Sequence, residues 1–227
     1  MQNVKNTMID RMLAMVAPHL CSGCGKIGTL LCERCKEHIV TRPFTSCIDC
    51  RKVTPVGICI KHHKSYQRAW VVGERKTTLQ RLIGGFKFQN MKVAAYDLAA
   101  LLDERLPTLP SNTILIPIPT APAHKRERGY DHMLLIAQSL SVLRHLPIQQ
   151  LITRANVATQ HHSNREQRIE QSLSAFIVKG SVDPLAHYVV LDDIITTGST
   201  IDQATQLLRN AGAQMISVAA LARQPLD

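Results

Sequence analysis

Apolar positions set the outline of the chain before any motif does. Val4, Met8, Ile9, Met12, Leu13 and Val16 recur near helical spacing, with Lys5, Asn6, Asp10 and Arg11 between them. This predicts an amphipathic helix ending near Pro18. Arg68-Ala-Trp-Val-Val alternates like a strand, and Leu79, Leu82, Ile83 and Phe86 then suit a helix that carries Arg81 and Lys87. Met91 to Leu106 reads as a longer helix with Val93, Ala94, Tyr96, Leu98, Leu101 and Leu102 on its buried side, ended by Pro107 and Pro110. Thr113–Ile118 is a second apolar strand and Leu134–Leu143 a further helix. Tyr188–Leu191 is a short buried strand that Asp192 and Asp193 are expected to stop. A helix over Ile201–Asn210, with Gly212 past its end, and a strand over Met215–Leu221 complete an α/β pattern.

Composition narrows the setting. The chain has 227 residues, 45% of them hydrophobic, enough for one sizeable core and a smaller module. No apolar run approaches a membrane span, and Asp10 and Arg11 interrupt what would be the apolar part of a secretory signal. A cytoplasmic protein without membrane insertion is the expectation. Net charge is +10, and residues 1–65 hold 10 Lys/Arg against 4 Asp/Glu. A basic balance suits phosphate or nucleic acid, although zinc-bound thiolates would neutralise part of it.

All seven cysteines lie between Cys21 and Cys59. They form Cys21-x-x-Cys24, Cys32-x-x-Cys35 and Cys47-x-x-Cys50, and Cys59-x-x-His62 follows as a fourth pair. Each such pair makes a tight turn that aims two ligands at one metal, and two pairs complete a closed tetrahedral site. Such crowding in a cytoplasmic chain points to structural zinc, one or two ions, rather than disulfides. Sequential pairing would put Cys21, Cys24, Cys32 and Cys35 on one ion and Cys47, Cys50, Cys59 and His62 on another. A cross-braced scheme would alternate the pairs, and His63 could stand in for His62.

The chemistry of the second half centres on Asp192-Asp193-Ile-Ile-Thr196-Thr197-Gly198-Ser199-Thr200. A strand ends there, two carboxylates follow, and a loop of small hydroxylated residues leads into a helix. Backbone N–H groups at a helix start are unpaired and favour an anion, and small residues let the backbone close on a phosphate. Carboxylates beside them can accept from ribose hydroxyls or help hold a divalent cation. A plain helix cap uses the same residue types; the joint arrangement favours a sugar phosphate. His124-Lys-Arg126-Glu-Arg128-Gly-Tyr also follows a strand and offers cations at a sheet end, where open α/β sheets bind ligands. His161-His162 reads as a surface pair, because adjacent side chains point apart.

Leu191-Asp-Asp-Ile-Ile-Thr-Thr-Gly-Ser-Thr200 resembles the phosphoribosyl-pyrophosphate (PRPP) loop of type I phosphoribosyltransferases. With the cysteine pairs ahead of it and Phe86-Lys-Phe88, Pro117-Ile-Pro119, Arg128-Gly-Tyr130, Gln160, Arg165, Arg168 and Ala175-Phe176 between, the chain resembles the ComF family of competence-associated, phosphoribosyltransferase-like proteins. Two departures stand out: Arg128-Gly-Tyr-Asp-His132 where the family usually shows Arg-Gly-Phe-Asn-Gln, and Gln171 where an Asn is common. The resemblance implies a type I phosphoribosyltransferase-like parallel sheet with helices on both faces, preceded by a small cysteine-rich zinc-binding module. It divides the chain into an N-terminal helix (1–20), the zinc module (21–65) and the transferase-like domain (66–227). It implies Asp192 and Asp193 on the ribose, as the catalytic pair if turnover occurs. Thr196, Thr197, Gly198, Ser199 and Thr200 fall on the 5-phosphate, and Arg126 and Arg128 on a Mg2+-bound pyrophosphate. The implied partners are PRPP or a related phosphoribosyl ligand, single-stranded DNA and a helicase of the uptake machinery. The alternative is an active phosphoribosyltransferase acting on a nitrogenous base or amine.

Overall fold

The computed structural model describes residues 19–155 and 175–225. The expected N-terminal helix and the stretch holding Gln160, His161, His162, Arg165, Arg168 and Gln171 lie outside them. In chain order the strands are β1 (Arg68–Glu74), β2 (Thr113–Pro117), β3 (Ile152–Arg154), β4 (Phe176–Val178), β5 (His187–Ile195) and β6 (Met215–Arg223). The helices are α1 (Glu33–Val40), α2 (Thr77–Phe88), α3 (Ala94–Arg105), α4 (Pro122–Arg128), α5 (His132–Arg144) and α6 (Ser199–Asn210). Four strands make one sheet in the order β1-β6-β5-β2, every neighbour parallel, while β3 and β4 form a separate antiparallel pair. Among the described residues, no helix is long and apolar enough to cross a membrane.

A parallel sheet is covered on both faces, so its central strands are apolar at successive positions. Tyr188, Val189, Val190 and Leu191 of β5 are all fully buried. Val189 and Leu191 share a core with Leu82 of α2, Leu98 of α3 and Ile136 of α5. Tyr188 and Val190 pack on the other face with Ile201, Ala204 and Leu208 of α6. The chain therefore leaves β2 onto the first face and β5 onto the second. In open α/β sheets ligands bind at the carboxyl ends of neighbouring strands that lead to opposite faces, which here are the ends of β2 and β5.

Two sequence expectations are corrected. The acidic pair does not end β5, which continues through Asp192 and Asp193 to Ile195 because β6 extends to Arg223 beside it. In α3 the buried side is Ala94, Ala95, Leu98, Ala99, Leu101 and Leu102, whereas Tyr96 is 60% and Val93 50% exposed. Tyr96 lies two residues beyond Ala94, roughly 200° around the helix, and Val93 precedes the first turn.

Residues 19–65 wrap the β1 edge and contribute to both faces. Leu30, Leu31 and Ile39 join the first core, and Phe44 and Ile48 the second. Phe44 bridges to Val71, which shields an otherwise open strand edge. Gly57 sets how closely this segment approaches: it has φ +76°, and a Cβ there would lie 1.9 Å from the Ala69 carbonyl oxygen. Its carbonyl accepts from the Ile48 amide at 2.9 Å, and Val56 accepts from the Ala69 amide at 2.9 Å. Gly57→Ala is expected to cost on the order of 3 kcal/mol in urea unfolding, through the clash and the left-handed backbone. An unchanged midpoint would show that this segment does not lie against β1.

Candidate functional site

Two adjacent carboxylates at the end of a buried strand need partners, and successive residues of a strand look to opposite faces. Asp193 is 6% exposed, and its Oδ2 lies 2.6 Å from Lys87 Nζ of α2. The same oxygen accepts from His132 Nε2 at the start of α5. His132 is itself held: its Nδ1 lies 2.7 Å from the Thr120 hydroxyl and 3.2 Å from an Arg128 N–H nitrogen. With Arg128 donating to Nδ1, the imidazole proton sits on Nε2 and points at Asp193. Asp131 fixes the start of α5, accepting from the Leu134 amide at 3.2 Å, and its Oδ1 lies 2.9 Å from the Thr120 hydroxyl, whose single proton is shared between it and His132 Nδ1.

Burial opposes ionisation of Asp193, but the His132 hydrogen bond and the Lys87 charge outweigh it and hold the carboxyl down at about 2. Asp192, 9% exposed, has the reverse balance. Burial and the Asp193 charge push it up to about 8, against the Asp193 amide, which donates to Oδ1 at 2.9 Å, and the more distant Lys87 and Arg154. One face of the strand end thus carries a fixed negative charge and the other a carboxyl that holds its proton near neutrality.

Beyond Ile195 the chain opens. Thr196, Thr197 and Ser199 are exposed, Gly198 turns with φ +87°, and α6 starts at Ser199 with no side-chain cap bond from Gly198. Thr197 Oγ1 lies 3.0 Å from Ser199 Oγ and accepts from the Ser199 amide at 3.3 Å. The amides at the start of α6 have no partner within the helix, so hydroxyls and N–H groups share one open surface beside the acidic pair. Thr200 is half-buried in the first turn.

Of the two arginines singled out in the sequence, Arg128 joins the network around Asp193 and stacks over Phe88 at 5.2 Å, whereas Arg126 sits exposed on α4 outside it. Sequence reasoning gave no role to Lys87, His132, Arg154 or Arg223. Lys87 carried a signal as the one cation in Phe86-Lys-Phe88, a segment whose neighbours are apolar, and His132 stood out as a departure from the family pattern.

The cysteines form two groups: Cys21, Cys24, Cys32 and Cys35, and Cys47, Cys50, Cys59 and His62. In each, all four ligand atoms lie within 4.8 Å of one another, so pairing is sequential and His62, not His63, is the fourth member. Cys24 and Cys32 sulfurs are 3.6 Å apart, as are those of Cys50 and Cys59. A tetrahedral ion with metal–sulfur bonds of about 2.3 Å needs edges of about 3.8 Å. His62 Nδ1 lies 3.0 Å from Cys59 Sγ and 3.4 Å from Cys47 Sγ. The four thiols of the first group cannot all ionise unaided. Burial opposes the Cys21 thiolate, but the amides of Cys24, Cys32 and Gly23 bring it down to about 6, while burial and the neighbouring thiols push Cys35 up to about 12. A dication at the centre removes that conflict, and both donor sets fit one.

The family model described as "Phosphoribosyl transferase domain" matches residues 152–227, which include the whole acidic loop and α6. Competence protein F of Haemophilus influenzae is 30% identical over 209 residues, covering 85% of this chain and 90% of that protein. The chain belongs to the ComF family. Other relatives of this ComF chain are DNA utilization protein YhgH of Salmonella typhimurium, 33% identical over 177 residues (74% of this chain, 78% of that protein), and Competence protein ComFC of Streptococcus pneumoniae, 26% identical over 212 residues (90% and 87%). Among solved structures, the B. subtilis glutamine PRPP amidotransferase complexed with ADP and GMP matches with a TM-score of 0.42 and 17% identity, over 57% of this chain and 26% of that one. The fold of the ComF chain is α/β, a type I phosphoribosyltransferase-like parallel sheet with helices on both faces.

The carboxylates predict opposite responses to nearly isosteric change. Asp192→Asn is expected to stabilise the ligand-free protein at pH 8 by about 1–3 kcal/mol, since it removes a buried group repelled by Asp193. The gain should grow between pH 4 and 8, because the unfolded carboxyl ionises near 4 while the folded one stays protonated to about 8. Asp193→Asn is expected to cost about 3–5 kcal/mol by leaving Lys87 without its partner. Urea unfolding across pH checks both, and equal signs would contradict the assignment.

Proposed function

We propose that this ComF protein binds PRPP, or a related phosphoribosyl ligand with its Mg2+, at the carboxyl end of β5, and serves in the handling of DNA during competence. The observation that carries the reading is the adjacency of the buried Asp192–Asp193 pair to the open Thr196–Ser199 loop at the carboxyl end of β5, beside β2. Loop amides and the hydroxyls of Thr196, Thr197, Ser199 and Thr200 would take the 5-phosphate. Asp192 and Asp193 would take the ribose hydroxyls, and Arg128, with Arg126 on the same short helix, would meet the pyrophosphate. The relatives, competence and DNA utilization proteins by name, support the cellular role. Residues 21–65 are proposed as a zinc-binding module, each quartet holding one structural zinc, and residues 66–227 as the transferase-like domain.

A second reading is an active phosphoribosyltransferase. It is favoured by the Arg128–His132–Asp193 relay, which links the pyrophosphate-side cation to the ribose-side carboxylate. In that case positioning and charge on an oxocarbenium-like transition state would do most of the work, with Asp192 and Asp193 as the catalytic pair. The acceptor would be a nitrogenous base or amine.

PRPP with Mg2+ at a hundred times its Kd is expected to raise Tm by roughly 5–10 °C, and the combined Asp192→Asn and Asp193→Asn change should abolish the shift. A shift that survives the double change puts the ligand elsewhere. Pyrophosphate release over a panel of bases separates turnover from binding alone. Single-stranded DNA should bind with an affinity that falls steeply with salt and with replacement of Arg126 and Arg128; salt-insensitive binding would remove DNA contact from the account.

A further inference from the structure

The two quartets differ in what they touch. The first docks on α2 and α3 of the first face: Arg81 donates to the Gly23 carbonyl at 3.2 Å, and Lys36 pairs with Glu104 at 3.0 Å. The second sits against the loop after β5, through three separate ties. Arg223, 3% exposed at the end of β6, donates from Nε to the Ile48 carbonyl at 2.6 Å, inside the Cys47–Cys50 turn. From NH1 it donates to the carbonyls of Ile195, at 3.1 Å, and Thr196. Lys64, two residues past His62, lies 3.1 Å from Asp49 in the same turn and 2.7 Å from Asp202 in the first turn of α6. Arg209 of α6 donates to the Ser65 carbonyl at 2.9 Å. Asp49 itself stands beside the loop, since a Cβ on Gly198 would lie 3.8 Å from its Oδ1.

We infer that the second quartet holds the Thr196–Thr200 loop in its ligand-ready conformation, so that metal occupancy at Cys47, Cys50, Cys59 and His62 and the order of the loop are one linked equilibrium, with Arg223 and Lys64 as positioning residues. A metal ion fixes the Cys47–Cys50 turn and with it the Ile48 carbonyl and the Asp49 carboxylate. Arg223 carries that constraint into the loop backbone. Lys64 keeps the Asp49 charge engaged and away from the anion site. Resting on the phosphoribosyl reading of the loop, the consequence is reciprocal: zinc at the second quartet tightens ligand binding, and the ligand tightens zinc by the same factor. The first quartet, without these ties, is the internal control.

The test uses the full-length zinc-loaded protein and a competing chelator, with and without PRPP and Mg2+. Hydrogen exchange of the Thr196–Thr200 amides is followed in ligand-free protein as zinc leaves. Zinc at the second quartet is expected to gain at least about five-fold in affinity with PRPP, the low end of ordinary coupling, while zinc at the first is unchanged. Loop amides should exchange faster when that same zinc departs. Lys64→Met, which leaves every metal ligand and loop residue in place, should lower the factor, with the Arg223 tie still present. Should PRPP bind while both zinc affinities and loop exchange stay constant, the coupling is overturned and the phosphoribosyl reading stands. Loop exchange that follows zinc in a protein that does not bind PRPP supports the mechanical link and overturns the ligand assignment.

Discussion

Two neighbouring carboxylates at the end of a fully buried strand are the constraint around which this molecule is arranged. Because Asp192 and Asp193 are successive residues of β5, Lys87 pairs directly with Asp193 and reaches Asp192 only from a distance. The structure satisfies Asp193 with Lys87 and His132, drawn from α2 and α5 among the helices packed on that face. Asp192 retains its proton near neutral pH instead. The fixed charge also explains why α2 and α5 meet at the carboxyl end of the sheet: each brings one donor to the same oxygen. Such an arrangement costs stability unless something uses it, since hydrophobic residues would fill these positions more cheaply. A ligand with vicinal hydroxyls is such a use.

The same end of the sheet is braced from outside. The segment of residues 19–65 covers the β1 edge and divides its apolar residues between the two cores, so its cysteine turns are anchored to opposite faces. On the second face this anchoring reaches the loop after β5 through a buried arginine as well as through the apolar packing of Ile48. Arg223 donates to the Ile48 carbonyl in the cysteine-rich segment and to the Ile195 and Thr196 carbonyls at the end of β5. A loop of small residues has little side-chain packing of its own, and these bonds supply what it lacks.

Much of this was legible in the sequence, for identifiable reasons. Apolar runs flanked by small polar residues mark buried parallel strands, so β2, β5 and β6 were visible, as was the loop after β5. Cysteine spacing proposed the sequential quartets without choosing between them and a cross-braced scheme, and geometry made that choice. The carboxylates misled, because acids usually terminate strands; here β6 runs alongside for long enough to keep them in the ladder. That Lys87 and His132 meet at Asp193 could not be read. Lys87 and His132 are distant in sequence, and helical periodicity says which face is buried but not which strand end that face meets. Arg223 was hidden for the same reason: a cation at the end of an apolar strand looks like a surface residue until its carbonyls are found.

Phosphoribosyl binding requires the paired carboxylates and the loop after β5 to act as one site. A crystal structure of the full-length protein with PRPP and Mg2+ decides whether they do. The expected result is the 5-phosphate on the amides and hydroxyls of Thr196–Thr200, the ribose hydroxyls against Asp192 and Asp193, and zinc in both quartets. A PRPP molecule bound away from β5, or density for the phosphate at a loop that leaves Asp192 and Asp193 untouched, would contradict it.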